Sequence, residues 1–326
     1  MAETGEHNGG GHSVVIIGSS NARVGLERGM QILRDGGSAL DAVEQAIWAV
    51  ESNMEDHSVG LGGLPNLVGE VELDASIMDG ATLAAGAVGG VHGVLHPISL
   101  ARRVMEELPH AFLVGAGAER FARECGFPVT ELLTDEARRI YERGLSGEHQ
   151  DSGRYAGKIL RAMAGRLALD PERASGKDAG TVNVLALDGA GHLVAGVSTS
   201  GFAWKYPGRV GDSAVIGAGN YCDDRYGAAA CTGRGEMAIR AATAHTVVRG
   251  LKEGLSPEEA GRQALLELDW LVDAFWSGMN TVVLGPDGRH AGFSTVENTT
   301  YVYMDDASTG VESKPRTLVP VTGRSA

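Results

Sequence analysis

The chain has 326 residues, 43% of them hydrophobic, and a formal net charge of −14. That length and apolar share exclude a disordered chain and allow a sizeable core. The acidity argues against nucleic acid or an anionic membrane surface as a partner.

The elements read as follows in chain order. Met1 to His12 is polar and glycine-rich, with no apolar signal core. Val14-Val15-Ile16-Ile17 reads as a short strand. Val24 to Leu33 carries apolar residues at helical spacing and stops at Asp35-Gly36-Gly37, a C-cap signal. Ser38 is an N-cap for a helix from Ala39 to about Glu51, with Leu40, Val43, Ala46, Ile47 and Val50 facing a core. A glycine-rich loop, Ser58 to Gly63, follows. Val71 to Met78 alternates apolar and polar up to Asp79-Gly80, half of a hairpin with Ala81 to Val88 as its partner. Pro97 to Leu108 and Gly117 to Glu124 read as helices, with a short strand at His110 to Val114 between them. Residues 134–180 turn charged and partly helical, and 146–153 is the best linker candidate.

From Thr181 the pattern becomes a hairpin, 181–187 and 192–198 around Asp188-Gly189-Ala190-Gly191. Helices are expected at about 236–251 and 256–275, the second with Pro257 in its first turn. A second hairpin, 280–284 and 289–294, and a last strand at 299–304 complete the chain. This order predicts an α+β fold with two sheets sandwiched between helical layers. No apolar run approaches the roughly 20 residues of a membrane span. Cys125, Cys222 and Cys231 show no CxxC spacing, so neither a zinc site nor a disulfide framework is expected. A soluble cytoplasmic protein is the expectation.

Common catalytic signatures are missing from the sequence: there is no Walker loop, no HExxH and no Gly-x-Ser-x-Gly elbow. Ile216-Gly217-Ala218-Gly219 has a faint dinucleotide-loop look but no third glycine at the right spacing. We therefore expect no cofactor and no catalytic metal. The most informative bond is Gly180-Thr181, where a residue without Cβ meets a threonine at the start of a strand. Cut there, the chain would present a hydroxyl nucleophile and an α-amino base in one residue.

The segments downstream are Ser198-Thr199-Ser200-Gly201, Pro207-Gly208-Arg209-Val210-Gly211-Asp212-Ser213, Ile216 to Gly219, and Cys231-Thr232-Gly233-Arg234-Gly235-Glu236. With Gly180-Thr181-Val182, Gly36 to Val43 and Leu73 to Gly80, their order and spacing resemble the N-terminal-nucleophile (Ntn) hydrolases. The similarity is to the plant-type asparaginase, isoaspartyl peptidase and glycosylasparaginase family, from about Val14 to Asp306. The resemblance implies a four-layer αββα sandwich forming a single domain, 1–326, that cuts itself into chains 1–180 and 181–326. It implies Thr181 as nucleophile, Thr199 as its hydrogen-bonding support, and Thr232 and Gly233 as oxyanion donors. Arg209 and Asp212 match the residues that hold a substrate's α-carboxylate and α-amino groups, with Gly233 beside them. It also implies a small aspartyl amide as substrate and a homodimer of two-chain units.

Within that family, Ser58 to Gly63, Gly69-Glu70 and Asp223-Asp224 resemble the glycosylasparaginase branch, which acts on N4-(β-N-acetylglucosaminyl)-L-asparagine. Gly180 is as in the isoaspartyl enzymes, Ser19 stands near a tryptophan position of the glycosylasparaginases, and Asn183 replaces a family glycine. L-asparaginase or β-aspartyl peptidase activity on the same scaffold is the alternative. Strand periodicity puts Asn183 on the face of Thr181, where its amide is expected to narrow the pocket or bond to the Thr181 amine. Trp204 and Ser58 are further pocket candidates. Two readings from other classes stay open: a non-catalytic amino-acid-binding protein using Arg209 and Asp212, and an unrelated serine or cysteine hydrolase.

Overall fold

A computed structural model describes residues 12–146, 180–273 and 276–321. The linker expected at 146–153 lies, apart from Ser146, outside them. β1 (Val15–Ser19) leads into α1 (Arg23–Arg34) and α2 (Ala39–Glu51). The joint between the two helices follows from its residues. Gly36 takes φ +80°, which lets Gly37 N–H return to the Ile32 carbonyl at 2.8 Å, and Ser38 Oγ then accepts from Asp41 N–H to start α2. β2 (Leu73–Asp79), β3 (Ala85–Val91), α3 (Pro97–Glu107), β4 (Phe112–Val114), α4 (Gly115–Glu124) and α5 (Asp135–Ser146) follow.

The second half begins with β5 (Val182–Leu187) and β6 (Leu193–Thr199), then β7 (Asn220–Asp223) and β8 (Gly227–Gly233). α6 (Gly235–Ala241), α7 (Thr243–Lys252) and α8 (Pro257–Leu266) lead to β9 (Met279–Leu284), β10 (His290–Ser294), β11 (Thr300–Asp305), β12 (Glu312–Pro315) and β13 (Thr317–Leu318).

The strands form two sheets. The larger has the order β12-β11-β1-β5-β6-β2-β3-β4 and the smaller β13-β10-β9-β8-β7. Three apolar clusters tie these elements together. One joins α1, α2, α3 and α4 to residues of the larger sheet such as Ile16, Val88 and Val184. A second holds strand residues of both sheets against each other, among them Ile17, Leu185, Val197, Ala230 and Val282. A third packs α6, α7 and α8 on the smaller sheet through Val247, Ala264, Val283 and Phe293. The chain is thus a mixed α/β structure of two sheets with helices packed on each.

Several expected elements are corrected. The helix expected at 236–251 breaks at Ala242, whose φ is +47°. The break follows from competition for donors: Ala244 and His245 N–H leave the helix and bond to the Ala218 and Gly217 carbonyls at 3.3 and 2.8 Å. The loop with the dinucleotide look therefore presents carbonyls to a helix start. The helix expected to reach 275 ends at Leu266 and tightens into a 3₁₀ turn, Glu267–Trp270. β7 and β8 escaped the sequence reading because Ala228-Ala229-Ala230 has little strand propensity and only its burial between layers makes it a strand. β2 and β3 are buried almost throughout rather than on one face, since α3 covers one side and the 3₁₀ turn Asp212–Ala214, with β7 beside β2, covers the other.

Candidate active site

Thr181 sits immediately before β5, between β1 and β6 in the larger sheet, and is buried. Pairing of β5 with β6 sets Val182 opposite Ser198, which brings Thr199 beside Thr181. The Thr181 hydroxyl donates to Thr199 Oγ1 at 3.3 Å. Thr199 Oγ1 in turn donates to the Gly180 carbonyl at 2.8 Å and accepts from Gly201 N–H at 2.9 Å. One hydroxyl therefore touches both the residue before the bond and the residue after it. The Gly180 position is tight, since a Cβ there would overlap Ser58 Oγ. Ser58 is itself held by Asp56, whose Oδ1 accepts from both the Ser58 N–H and its hydroxyl.

Thr232 and Gly233 end β8 and face the same region. Thr232 Oγ1 accepts from Asn280 Nδ2 at 3.1 Å across the β8–β9 pair. Gly233 has φ +114°, and a side chain there would run into the Gly278 carbonyl, so only glycine fits.

Arg209 and Asp212 lie on a loop held against β2 and β3 by Asp74. Its two carboxylate oxygens accept from Gly90 N–H at 2.8 Å and Gly211 N–H at 3.1 Å. Arg209 Nε donates to Glu236 at 3.0 Å, and its guanidinium lies 4.5 Å from the Phe202 ring centre. The fork runs past three glycines: a Cβ at Gly211 would stand 2.8 Å from Nη1, at Gly201 3.3 Å from Nη1, and at Gly235 3.1 Å from Nη2. Gly201 thereby links the two halves of the site, giving its N–H to Thr199 and its bare Cα face to Arg209.

Asp212 is buried, and its Oδ2 has no hydrogen-bond partner among the described residues. Burial pushes its carboxyl up to about 7, against the pull of Arg209. Glu236 behaves oppositely: burial alone would raise it, but Arg209 and Arg234 hold it below the usual range. A buried carboxylate oxygen without a donor is costly unless a ligand supplies one. An ammonium group is the natural complement here.

A family model described as asparaginase matches residues 19–311. The chain is 38% identical to the isoaspartyl peptidase/L-asparaginase of Mus musculus, over 79% of this chain and 75% of that protein. It is 37% identical to the N(4)-(beta-N-acetylglucosaminyl)-L-asparaginase of Mus musculus, over 76% and 75%. It is 38% identical to the plant-type L-asparaginase of Pyrococcus horikoshii, over 83% and 84%. The chain belongs to the asparaginase family. Both named branches match at the same level, so identity alone does not choose between them.

The asparaginase-family reading directs attention to what surrounds Thr181. A cavity of about 430 Å³ is lined by Ser19, Asn21, Asp56, Ser58, Gly180, Thr181, Thr232, Asn280, Asn298, Thr299, Thr300 and Arg316, among others. Of the lining, sequence reasoning had singled out Ser58, Gly180, Thr181 and Thr232 but missed Asn280 and Arg316. Asn280 left a faint signal, an amide near the start of a mostly apolar strand. Arg316 left none.

Two pocket candidates sit elsewhere. Trp204 is buried outside this lining, its ring against Gly144 of α5 and its indole N–H on the Tyr141 carbonyl at 3.3 Å. Asn183 does not bond to Thr181. Its Oδ1 accepts from Ser19 N–H at 2.9 Å and its own N–H donates to Ser19 Oγ at 3.0 Å. The reason is the β1–β5 pairing, which brings Ser19 alongside Asn183. The contact extends from Ser19 Oγ to Asn21 and from Asn21 Nδ2 to Asp56, so Asn183 is joined to Ser58 through a chain of polar contacts.

The large buried Lys205 was also missed. Its Nζ donates to the Glu72 and Ser200 carbonyls at 2.9 and 3.1 Å, under the Gly201 turn. Burial pushes its ammonium down, while Asp74 and Glu72 pull it back. It braces the segment between Thr199 and Arg209.

Proposed function

We propose that this asparaginase-family protein is an N-terminal threonine amidohydrolase that first cuts its own chain at Gly180-Thr181. It then hydrolyses the side-chain β-amide of an aspartyl substrate. The single observation that carries the reading is Thr199 Oγ1, which donates to the Gly180 carbonyl at 2.8 Å and receives the Thr181 hydroxyl at 3.3 Å.

In the self-cutting step, Thr181 Oγ attacks the Gly180 carbonyl carbon while Thr199 supports the developing oxyanion. The amide nitrogen leaves as the Thr181 amine, giving an ester that water hydrolyses to a Gly180 carboxylate. The freed α-amino group, with a reference pKa of about 7.7–8.0, then serves as the base for Thr181 Oγ. Substrate binds with its α-carboxylate on Arg209, which can offer paired N–H donors, and its α-ammonium on Asp212. Thr181 Oγ attacks the β-carbonyl, and Thr232 with Gly233 stabilises the oxyanion. One such donor is typically worth about 2.7–4 kcal/mol of barrier. The amine leaves, and water releases aspartate from the acyl-threonine.

The motifs favour N4-(β-N-acetylglucosaminyl)-L-asparagine as the amide. A second reading, asparagine or a β-aspartyl peptide, is favoured by the packing of Gly180 on Ser58 and by the small polar side chains at Ser19 and Asn21. The three apolar clusters support a four-layer αββα Ntn-hydrolase sandwich that stays one domain after the cut. The free thiols of Cys125, Cys222 and Cys231 fit a cytoplasmic location, and pairing of two-chain units into a homodimer follows from the resemblance.

A denaturing gel of purified protein tests the first step. Two bands are expected, the smaller beginning at Thr181 by N-terminal sequencing. A single band that stays uncut after prolonged incubation would overturn the reading in favour of a binding protein. Turnover of asparagine, a β-aspartyl dipeptide and the glycosylated asparagine then ranks the leaving groups.

A further inference from the structure

The acyl half and the leaving half of an amide must occupy different walls of the site. Arg209 and Asp212 take the acyl half in the reading above, and neither lines the 430 Å³ cavity that opens at Thr181. That cavity is where the departing amine has room, and its wall contains one cation, Arg316.

Arg316 is set there by the C-terminal strands. It falls between β12 and β13, beyond residue 311 where the family match ends. Nε donates to the Thr300 carbonyl at 3.0 Å and one terminal nitrogen to the Thr281 carbonyl at 3.0 Å. A guanidinium has five N–H donors, and these two bonds leave others to be met. No carboxylate pairs with Arg316 among the described residues, although the chain carries 42 acidic residues. Burial disfavours the cation and brings it down to about 10, still charged at neutral pH.

The one acid on the cavity wall, Asp56, is already occupied. It accepts from Ser58 N–H and Oγ and from Asn21 Nδ2. Asn280, which lines the same cavity beside Thr232, has a buried side-chain oxygen with no partner. The cavity thus joins a cation lacking a counter-ion to an amide lacking one bond, next to the nucleophile.

We propose that Arg316 forms an anion subsite for the leaving group, selecting amides whose departing amine carries a carboxylate, while the open Asn280 oxygen beside it accepts from the N–H of that amine. The substrate class is then a β-aspartyl peptide whose second residue is C-terminal: the carboxylate of that residue meets Arg316 while its nitrogen leaves the β-carbonyl carbon that Thr181 Oγ attacks. A neutral sugar amine or ammonia gains nothing from this charge. The proposal rests on the amidohydrolase reading above and adds a residue and a ligand chemistry to it.

The test compares kcat/KM of the processed enzyme for β-aspartyl-leucine and for the same peptide with its C-terminus amidated. A charge-assisted contact of this kind corresponds to a preference of roughly 10- to 100-fold for the free carboxylate. Arg316→Gln is expected to bring the ratio near one, and Arg316→Lys to restore part of it. A purely structural role would lower both activities and keep their ratio, which overturns the proposal, as does a wild-type ratio of one. Free leucine and leucinamide supply a readout independent of turnover. Leucine should raise the melting temperature of wild type more than leucinamide does, and Arg316→Gln should erase that difference. If neither peptide is hydrolysed yet leucine stabilises wild type selectively, the amidohydrolase reading fails and the anion subsite stands. If both peptides are hydrolysed equally and leucine does not discriminate, the subsite fails and the amidohydrolase reading stands.

Discussion

The two walls beside Thr181 are built differently. The wall of Arg209 and Asp212 is made from one run of chain, 199–236, with glycines at 201, 211 and 235 leaving space for a guanidinium that Glu236 and Phe202 hold in place. The cavity wall is assembled from seven separate stretches, around Ser19, Ser58, Thr181, Thr232, Asn280, Thr299 and Arg316, and is mostly hydroxyl and amide. In the function proposed above, the first wall takes two fixed charges of an aspartyl substrate, and a preformed, close-fitting frame suits that task. The second meets whatever group departs, and its composition can differ between relatives without disturbing the first.

Breaking the centre between the walls should have the largest effect. Thr181→Ala removes nucleophile and base together and should abolish self-cleavage, with amide turnover reduced by at least about 10³-fold. A gel and a rate measurement decide it, and wild-type activity in this variant would sink the threonine mechanism. Next is Gly180→Asp, which forces a side chain onto Ser58. Overpacking of this kind costs roughly 1–3 kcal/mol, so self-cleavage should slow about tenfold or more in a time course. Ser58→Gly in the same chain should restore it.

The acyl wall predicts a pH effect. Burial lifts Asp212 to about 7, so below that pH it is neutral and loses the substrate ammonium. kcat/KM should fall roughly tenfold per pH unit on the acid side, and Asp212→Asn should flatten that limb while lowering the plateau. The same shift has a stability sign. From the ordinary carboxylate range up to about 7 the folded protein keeps a proton that the unfolded chain has released, so stability falls as pH rises through that window. Asp212→Asn should therefore melt higher than wild type at pH 8, with the gain gone by about pH 4. A gain that grew toward acid would contradict the assignment.

The smallest effect belongs to the contacts behind the cavity wall, where Asn183 holds Ser19. Asn183→Gly deprives Ser19 N–H of its acceptor and should lower stability by about 1–3 kcal/mol in denaturant unfolding, with turnover changed less than about threefold. A large loss of activity with stability intact would mean that Asn183 acts on the reaction directly.

These two walls also differ in how much the sequence reveals. Thr199, Arg209, Asp212, Thr232 and Gly233 could be singled out in the sequence because they stand in short ordered motifs that resemble those of the family; their roles rest on that resemblance. Ser38 and Gly36 were legible because each makes a local cap with a known bond pattern. Arg316 was not, because nothing near it in sequence says that β11 and β9 carbonyls will fix it beside Thr181. Asn183 was placed on the correct strand, but its partner was not foreseeable without the β1–β5 register. The break at Ala242 depends on carbonyls of residues 217 and 218, and the strand at 228–230 on burial from both sides, so neither is encoded in local propensity.

The order of the larger sheet carries a consequence for what a cut at Gly180-Thr181 can do. Reading across it, β12 and β11 come from after the cut, β1 from before, β5 and β6 from after, and β2, β3 and β4 from before. Each piece is threaded through the other, with β1 hydrogen-bonded on both edges to strands of the opposite piece. Two fragments so interlaced have no peelable boundary between them. They should melt in one transition, resist separation by dilution, and fail to assemble from independently folded halves, because the larger sheet is complete only when both pieces contribute their strands.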